Sequence, residues 1–180
     1  MLAACSPAGP RFRSTDITGA DFGHSLSLVD FDGKPRTLAD FRGKAVVLFF
    51  GYTHCPDVCP TTLADLAGVM NTLGPLADRV QVLFVTVDPA RDTAAVLRQY
   101  VPAFDPRFLG LYGDAAATAK AAKEFHIYYE KSSESAPGVY TMNHSSQCYV
   151  IDPQGRLRLL VRAERISADL PEDLRTLLGG

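Results

Sequence analysis

The 180-residue chain has no tryptophan, three methionines, four cysteines and no excess of either charge: 18 Lys and Arg face 20 Asp and Glu, for a net charge of -2. That balance, and the absence of a Lys/Arg cluster, argues against nucleic acid as a partner. Long apolar runs are also missing. The longest, Ala45 to Phe50, is six residues, against the about 20 that a membrane-spanning helix needs. Four cysteines, unevenly placed at 5, 55, 59 and 148, are too few for a disulfide-stapled scaffold, and a chain this long buries a core without staples. With 47% hydrophobic and 21% charged residues, the composition excludes intrinsic disorder and collagen-like repeats.

Residues 1–20 lack periodicity and read as a tether ahead of one domain, residues 21–180. Leu2-Ala3-Ala4-Cys5 matches a bacterial lipobox, in which small residues precede a lipidated cysteine, and Ser6-Pro7-Ala8-Gly9-Pro10 suits a flexible spacer. The expectation is a lipoprotein anchored through Cys5 on the periplasmic side of a bacterial cytoplasmic membrane, with no other membrane contact.

Beyond the tether, strand and helix patterns alternate. Ser25 to Phe41 suggests an N-terminal hairpin about Asp32-Gly33. Lys44 to Gly51 and Val80 to Val87 are apolar enough for strands buried on both faces. Leu63, Leu66, Ala67, Met70 and Leu73 recur at helical spacing and predict a helix from Pro60 to Leu73, with Gly74-Pro75 as its stop. Helices are also expected at Asp92–Val101, Ala115–Phe125 and Ser167–Leu178, with a short strand at Phe108–Tyr112. Lys131 to Asn143 reads as one long polar loop, followed by a hairpin of Gln147–Ile151 and Arg156–Val161. This order fits an α/β chain of the thioredoxin type, a central mixed sheet flanked by helices.

In such sheets the chemistry sits at the carboxyl ends of the central strands, where the chain carries Gly51-Tyr52-Thr53-His54-Cys55-Pro56-Asp57-Val58-Cys59-Pro60. Two cysteines four residues apart at a helix start are favoured as thiolates by the helix dipole. Thiolate both binds metal and attacks disulfides, so the pair supports either a soft-metal site or a redox dithiol. Of the four histidines, His54 points away from Cys55 if the segment is extended, and His24 and His126 occupy unremarkable loop and helix-end positions. His144 stands just before an apolar strand, at a junction that faces the cysteine loop in this fold type; it is either a structural residue or a third ligand. Cys148, about 13 Å further along an extended strand, is too far to share a metal with His144 and reads as a small buried residue. Asp88 reads as part of a turn and cap, or as a residue behind the site. A peroxidase reading is poor, since Tyr52 and Val47 stand where peroxiredoxins carry Thr or Ser and Pro.

The block from Gly51 to Pro60, with Val87-Asp88-Pro89-Ala90-Arg91-Asp92-Thr93 and Asn143-His144-Ser145, resembles the Sco/SenC family of copper-binding proteins, and the match runs from about Phe22 to Leu178. The resemblance implies a thioredoxin-like fold that binds one copper, Cu(I) or Cu(II), through Cys55, Cys59 and His144. It also implies a role with cytochrome c oxidase: delivering copper to the subunit carrying its CuA centre, with an upstream protein as copper donor, or acting as the thiol-disulfide oxidoreductase that keeps the CuA cysteines reduced. One departure is Asn143, where the family often has Asp; it keeps a hydrogen-bonding group behind the ligands and drops a counter-charge. Two thiolates and an imidazole suit Cu(I) and tolerate Cu(II), with zinc as the competitor.

A Cys55–Cys59 disulfide would consume both thiolates. Oxidised protein, verified by thiol counting, is therefore expected to lose almost all copper binding in a titration; undiminished affinity would remove the two cysteines as ligands.

Overall fold

The computed structural model describes residues 10–179; the lipobox-like segment around Cys5 lies outside them. In chain order the elements are β1 (Thr15–Asp16), β2 (Ser27–Asp30), β3 (Pro35–Thr37), β4 (Ala45–Gly51), α1 (Val58–Leu73), β5 (Val80–Thr86), α2 (Ala94–Tyr100), β6 (Leu109–Tyr112), α3 (Ala115–Glu124), β7 (Tyr129–Lys131), β8 (Met142–His144), β9 (Cys148–Ile151), β10 (Leu157–Val161) and α4 (Ile166–Leu178). Eight strands form one mixed sheet in the order β1-β10-β9-β4-β5-β6-β2-β3, and β7 pairs with β8 as a separate ribbon. Helices flank the sheet, with α1 packed against α4. This is the thioredoxin-like α/β architecture expected from the order of elements.

The centre is β4, parallel to β5 and antiparallel to β9. Every residue of β4 is buried, as its unbroken run Ala45-Val46-Val47-Leu48-Phe49-Phe50 requires. Phe49 and Phe84, on neighbouring strands, are fully buried with ring centroids 6.0 Å apart, a spacing at which tilted aromatic pairs attract. Helix α1 buries Leu63, Leu66, Val69, Met70 and Leu73, the stripe that its 3.6-residue period creates.

Three expectations needed correction. The tether does not extend to residue 20: Thr15–Asp16 pair with Leu159 and Leu160, and the Arg13 and Ser14 amides donate to buried Asp173 at 2.7 and 2.9 Å. A two-residue strand is too short to leave a periodic signal. Helix α1 begins at Val58 rather than Pro60; a proline in the first turn forfeits no helical hydrogen bond, because the amides there have none, so it marks the turn but not the residue. The stretch read as one polar loop starts and ends in the β7–β8 ribbon, with Tyr129 opposite His144, Glu130 opposite Asn143 and Lys131 opposite Met142. Three-residue polar strands carry no apolar alternation.

Buried carboxylates tie the turns. Asp152 accepts from the amides of Gln154 and Arg156 at 3.0 and 2.9 Å and from the guanidinium groups of Arg156 and Arg158 at 2.8 and 3.1 Å. Asp30 does the same for Asp32, Lys34 and Arg36 in the first hairpin. Burial pushes both carboxyls up, but these amides and arginines outweigh it and hold both below their ordinary value.

A carboxyl lowered on folding gives stability that is complete above the unfolded value, about pH 4, and lost as pH falls through the folded one. Melting temperature should therefore be flat above about pH 5 and fall below about pH 4. Asp152→Ala should cost about 3 kcal/mol in denaturant unfolding at pH 7 and weaken that acid loss.

Candidate metal centre

Helix α1 positions the first two donors. Cys59 is its second residue, fully buried, while half-buried Cys55 sits in the preceding loop. The Cys59 amide, which has no helical partner, donates to Cys55 Sγ at 3.4 Å, so the Cys55 sulfur lies against the positive end of α1. Sequence reasoning put Cys59 at the helix cap; the cap-like contact belongs to Cys55. Gly51, at the end of β4, makes room behind the pair. A Cβ there would lie 3.0 Å from Cys59 Sγ and 2.9 Å from the Phe84 ring, so only glycine lets that sulfur pack on the strand.

The β7–β8 ribbon supplies the third. His144 Nε2 is 3.3 Å from Cys59 Sγ, and Nδ1 is 2.8 Å from the Ser145 carbonyl. A carbonyl only accepts, so Nδ1 carries the hydrogen and Nε2 turns its lone pair to the cysteines. The ring is wedged edge-on between Tyr52, at 5.7 Å, and Phe49, at 6.3 Å. Burial lowers the His144 pKa, only partly opposed by the Ser145 bond, and keeps the ring neutral. Burial also raises the Cys59 thiol far above its ordinary value, so in the metal-free protein its S–H donates to Nε2. The donor atoms of Cys55, Cys59 and His144 all lie within 4.8 Å of one another, the only such trio of His, Cys, Asp or Glu among the described residues. Bonds of about 2.0–2.3 Å from one ion to nitrogen and sulfur span nearly that separation, so the trio can hold a metal after shifts of a few tenths of an ångström.

The remaining expected residues separate. Asn143 is exposed on β8, because neighbours in a strand point to opposite faces; it cannot sit behind His144. Asp88 is buried but occupied by Arg91 Nε at 2.5 Å and the Tyr140 hydroxyl at 2.8 Å. It fixes the end of β5 to the ribbon's long excursion rather than touching a donor. Arg91 completes that link, donating to the Tyr140 carbonyl at 2.9 Å with its guanidinium 3.5 Å over the Tyr140 ring. Cys148 is fully buried in β9, outside the trio as expected. His24 is exposed, and His126, at φ 51°, stacks on Phe22 at 4.3 Å.

Sequence reasoning missed two residues. Asp92, expected only as the start of a helix, is fully buried and accepts from the Thr53 amide at 3.0 Å, the Thr53 hydroxyl at 2.6 Å and the Thr86 hydroxyl at 2.6 Å. It joins the cysteine loop to the end of β5. Its signal was two threonines following apolar strand runs. The other is Tyr52, whose buried phenol neighbours Cys55 and Cys59; burial is the main cause of its raised pKa, opposed by the Met142 amide, and it stays an O–H donor beside Cys55.

Comparison with known proteins gives a consistent answer. The SCO1/SenC family model matches residues 14–179. Protein SCO2 homolog, mitochondrial, of Mus musculus is 38% identical over 152 residues, covering 83% of this chain and 60% of that protein. The Bos taurus protein of the same name is 44% identical over 132 residues, covering 72% and 50%. The chain thus spans about half the length of the curated relatives it matches. Among solved structures, Bradyrhizobium japonicum ScoI with copper bound has a TM-score of 0.77 at 39% identity, covering 88% of this chain and 100% of that one. Yeast Sco1 with copper bound has a TM-score of 0.78 at 32% identity, covering 85% and 86%. The curated relatives carry mitochondrial names, which contradicts the expectation of a lipoprotein on the periplasmic side of a bacterial membrane.

Replacing Asp92 leaves three donors, two on half-buried Thr53 and one on buried Thr86, without their acceptor. Asp92→Ala should cost about 3 kcal/mol, and hydrogen exchange at the Thr53 amide should accelerate more than at amides within β4. An unchanged Thr53 rate would show that Asp92 does not hold the loop.

Proposed function

We propose, from the premise that this chain belongs to the SCO1/SenC family, that it binds one copper ion through Cys55 Sγ, Cys59 Sγ and His144 Nε2 and hands it on during cytochrome c oxidase assembly. The observation that carries the reading is the convergence of two sulfurs and one tautomer-fixed imidazole nitrogen from two separate elements. Soft thiolates select copper in its lower state, and the imidazole extends the set to Cu(II). Copper is the cargo here. The recipient in this reading is the oxidase subunit that carries the CuA centre, and the donor is an upstream copper protein.

The chain's own residues account for reversible loading. Cys59 is protonated and bonded to His144 in the metal-free form, so binding releases that proton and frees Nε2 for the ion. Phe49 and Tyr52 limit water around His144, which disfavours a charged ring that could not ligate. Half-exposed Cys55 remains the donor that a partner's ligand can reach.

The alternative, a reductase of the CuA cysteines, draws on the same half-exposed Cys55, backed by a buried Cys59 with the His144 base at 3.3 Å. Attack by Cys55 on a partner disulfide, then by Cys59 on the mixed disulfide, needs that base to take the Cys59 proton.

Copper titration separates the contributions. His144→Ala should abolish the visible absorption and alter the paramagnetic resonance of the Cu(II) form while weakening Cu(I) binding far less, since two thiolates suffice for Cu(I). Cys55→Ser or Cys59→Ser should abolish both, and His24→Ala and His126→Ala should change neither. An unchanged Cu(II) spectrum in His144→Ala, or zinc displacing copper at equal free concentration, would overturn the reading.

A further inference from the structure

A cluster of cations lies at the outer edge of the sheet, where β1 pairs with β10, two strands away from β4. There a cleft of about 240 Å³ is lined by Arg13, Ser14, Arg162, Arg165 and Asp169, among others. Arg165 grips Asp169 through two hydrogen bonds, at 2.8 and 2.7 Å, so the one carboxylate of the lining already has its guanidinium. Two cations are left over. Arg162 is exposed, and its guanidinium has no partner among the described residues. Arg13 spends one N–H on the Ala168 carbonyl at 3.5 Å and keeps most of its five donors. Ser14 is fixed at the cleft by its amide, which donates to buried Asp173 at 2.9 Å. Its hydroxyl, however, is buried with no hydrogen-bond partner among the described residues, a desolvation cost that an incoming acceptor would relieve. Glu164 is exposed and does not line the cleft.

We propose that this cleft binds a phosphate group, either as the free ion or at the head of a lipid, in a site separate from the metal centre. The proposal goes beyond the copper reading and does not depend on it. Charge fits first. Three guanidiniums less one carboxylate leave the lining at +2, and a phosphate monoester carries about -1.5 to -2 at pH 7. A carboxylate ligand, with a single charge, would leave half of that unmatched. The donors fit as well. Arg13 stands just before β1 and Arg162 just after β10, so two paired strands bring them to the same cleft from two chain segments. Planar guanidiniums meet phosphate oxygens two N–H groups at a time. The Ser14 hydroxyl donates to a further oxygen and gains the partner it lacks. Arg165 stays on Asp169, keeping that carboxylate from repelling the ligand.

The test uses inorganic phosphate as the probe, with chloride at equal ionic strength as the reference. Isothermal titration should show one saturable site, and the melting temperature should rise with phosphate but not with chloride. Arg162→Gln and Arg13→Gln should each weaken phosphate binding about tenfold, the loss of one charge-assisted contact. Ser14→Ala should weaken it about threefold. It should do so without lowering the melting temperature of the phosphate-free protein, because the hydroxyl it removes has no partner there. Lys34→Gln, at an exposed lysine of the first hairpin, is the control and should change nothing. Vesicles of phosphatidylcholine with and without phosphatidic acid, a lipid phosphomonoester, then identify the source. Retention on phosphatidic acid that Arg162→Gln abolishes assigns a lipid headgroup, and phosphate binding without retention assigns the soluble ion. Phosphate that stabilises no more than chloride overturns the proposal, as does binding that survives Arg162→Gln unchanged. So does equal weakening in Lys34→Gln, which would mean diffuse attraction to a charged surface. No arm of the test involves copper, so failure here leaves the copper reading standing.

Discussion

The site depends on one buried carboxylate. Asp92 receives the amide and hydroxyl of Thr53 and the hydroxyl of Thr86, so the loop leaving β4, the end of β5 and the approach to α2 meet at a single group with no exposure to water. Three donors in a water-poor setting compensate the charge that burial would otherwise penalise. Everything at the top of the sheet inherits that position: Tyr52 under Arg91, the turn that presents His54, and Cys55 one residue on.

Against this frame the cysteines hold unequal places. Cys59 is packed on Gly51 and Phe84, where a methyl group would already collide, and burial keeps its thiol protonated. Cys55 stands half-buried at the helix N-terminus with an amide pointed at its sulfur. A pair built this way has one reachable sulfur and one reserved sulfur, a division that suits both metal transfer and thiol exchange. What tilts it towards metal is His144, a neutral ring whose free nitrogen is aimed at the reserved sulfur by a carbonyl that can only accept its other hydrogen.

His144 would be of little use on a floppy loop. It stands on a three-residue strand, and the excursion before it is pinned through Tyr140 to both Arg91 and Asp88. Lys131 adds a second cation 4.0 Å from the Tyr140 ring. The ribbon is thereby clamped to the loop that also carries Asp92, and the third donor shares its support with the first two. Two copper-bound relatives share this frame, with TM-scores of 0.77 and 0.78.

The buried strands, the main helices and the cysteine turn were legible in the sequence because each repeats one physical signal over many residues. Unbroken apolar runs made β4 and β5 recognisable, helical spacing from Leu63 to Leu73 made α1 recognisable, and the two cysteines at a strand-to-helix turn announced soft-donor chemistry. Elements of two or three residues did not announce themselves: Thr15–Asp16, Tyr129–Lys131 and Met142–His144 are too short for any period to show. Nor did the partners of single side chains. Asp88 and Asp92 belong to one loop and look alike in sequence, yet one meets Tyr140 and the other Thr53, because those contacts cross 52 and 39 positions of chain. Sequence by itself determined which donor types the chain owns and that two of them lie at a helix start. Only the tertiary structure decided that His144 Nε2, 85 residues from Cys59, would meet its sulfur at 3.3 Å, since that distance is set by the register of a ribbon and the packing of a sheet, and no local pattern encodes either.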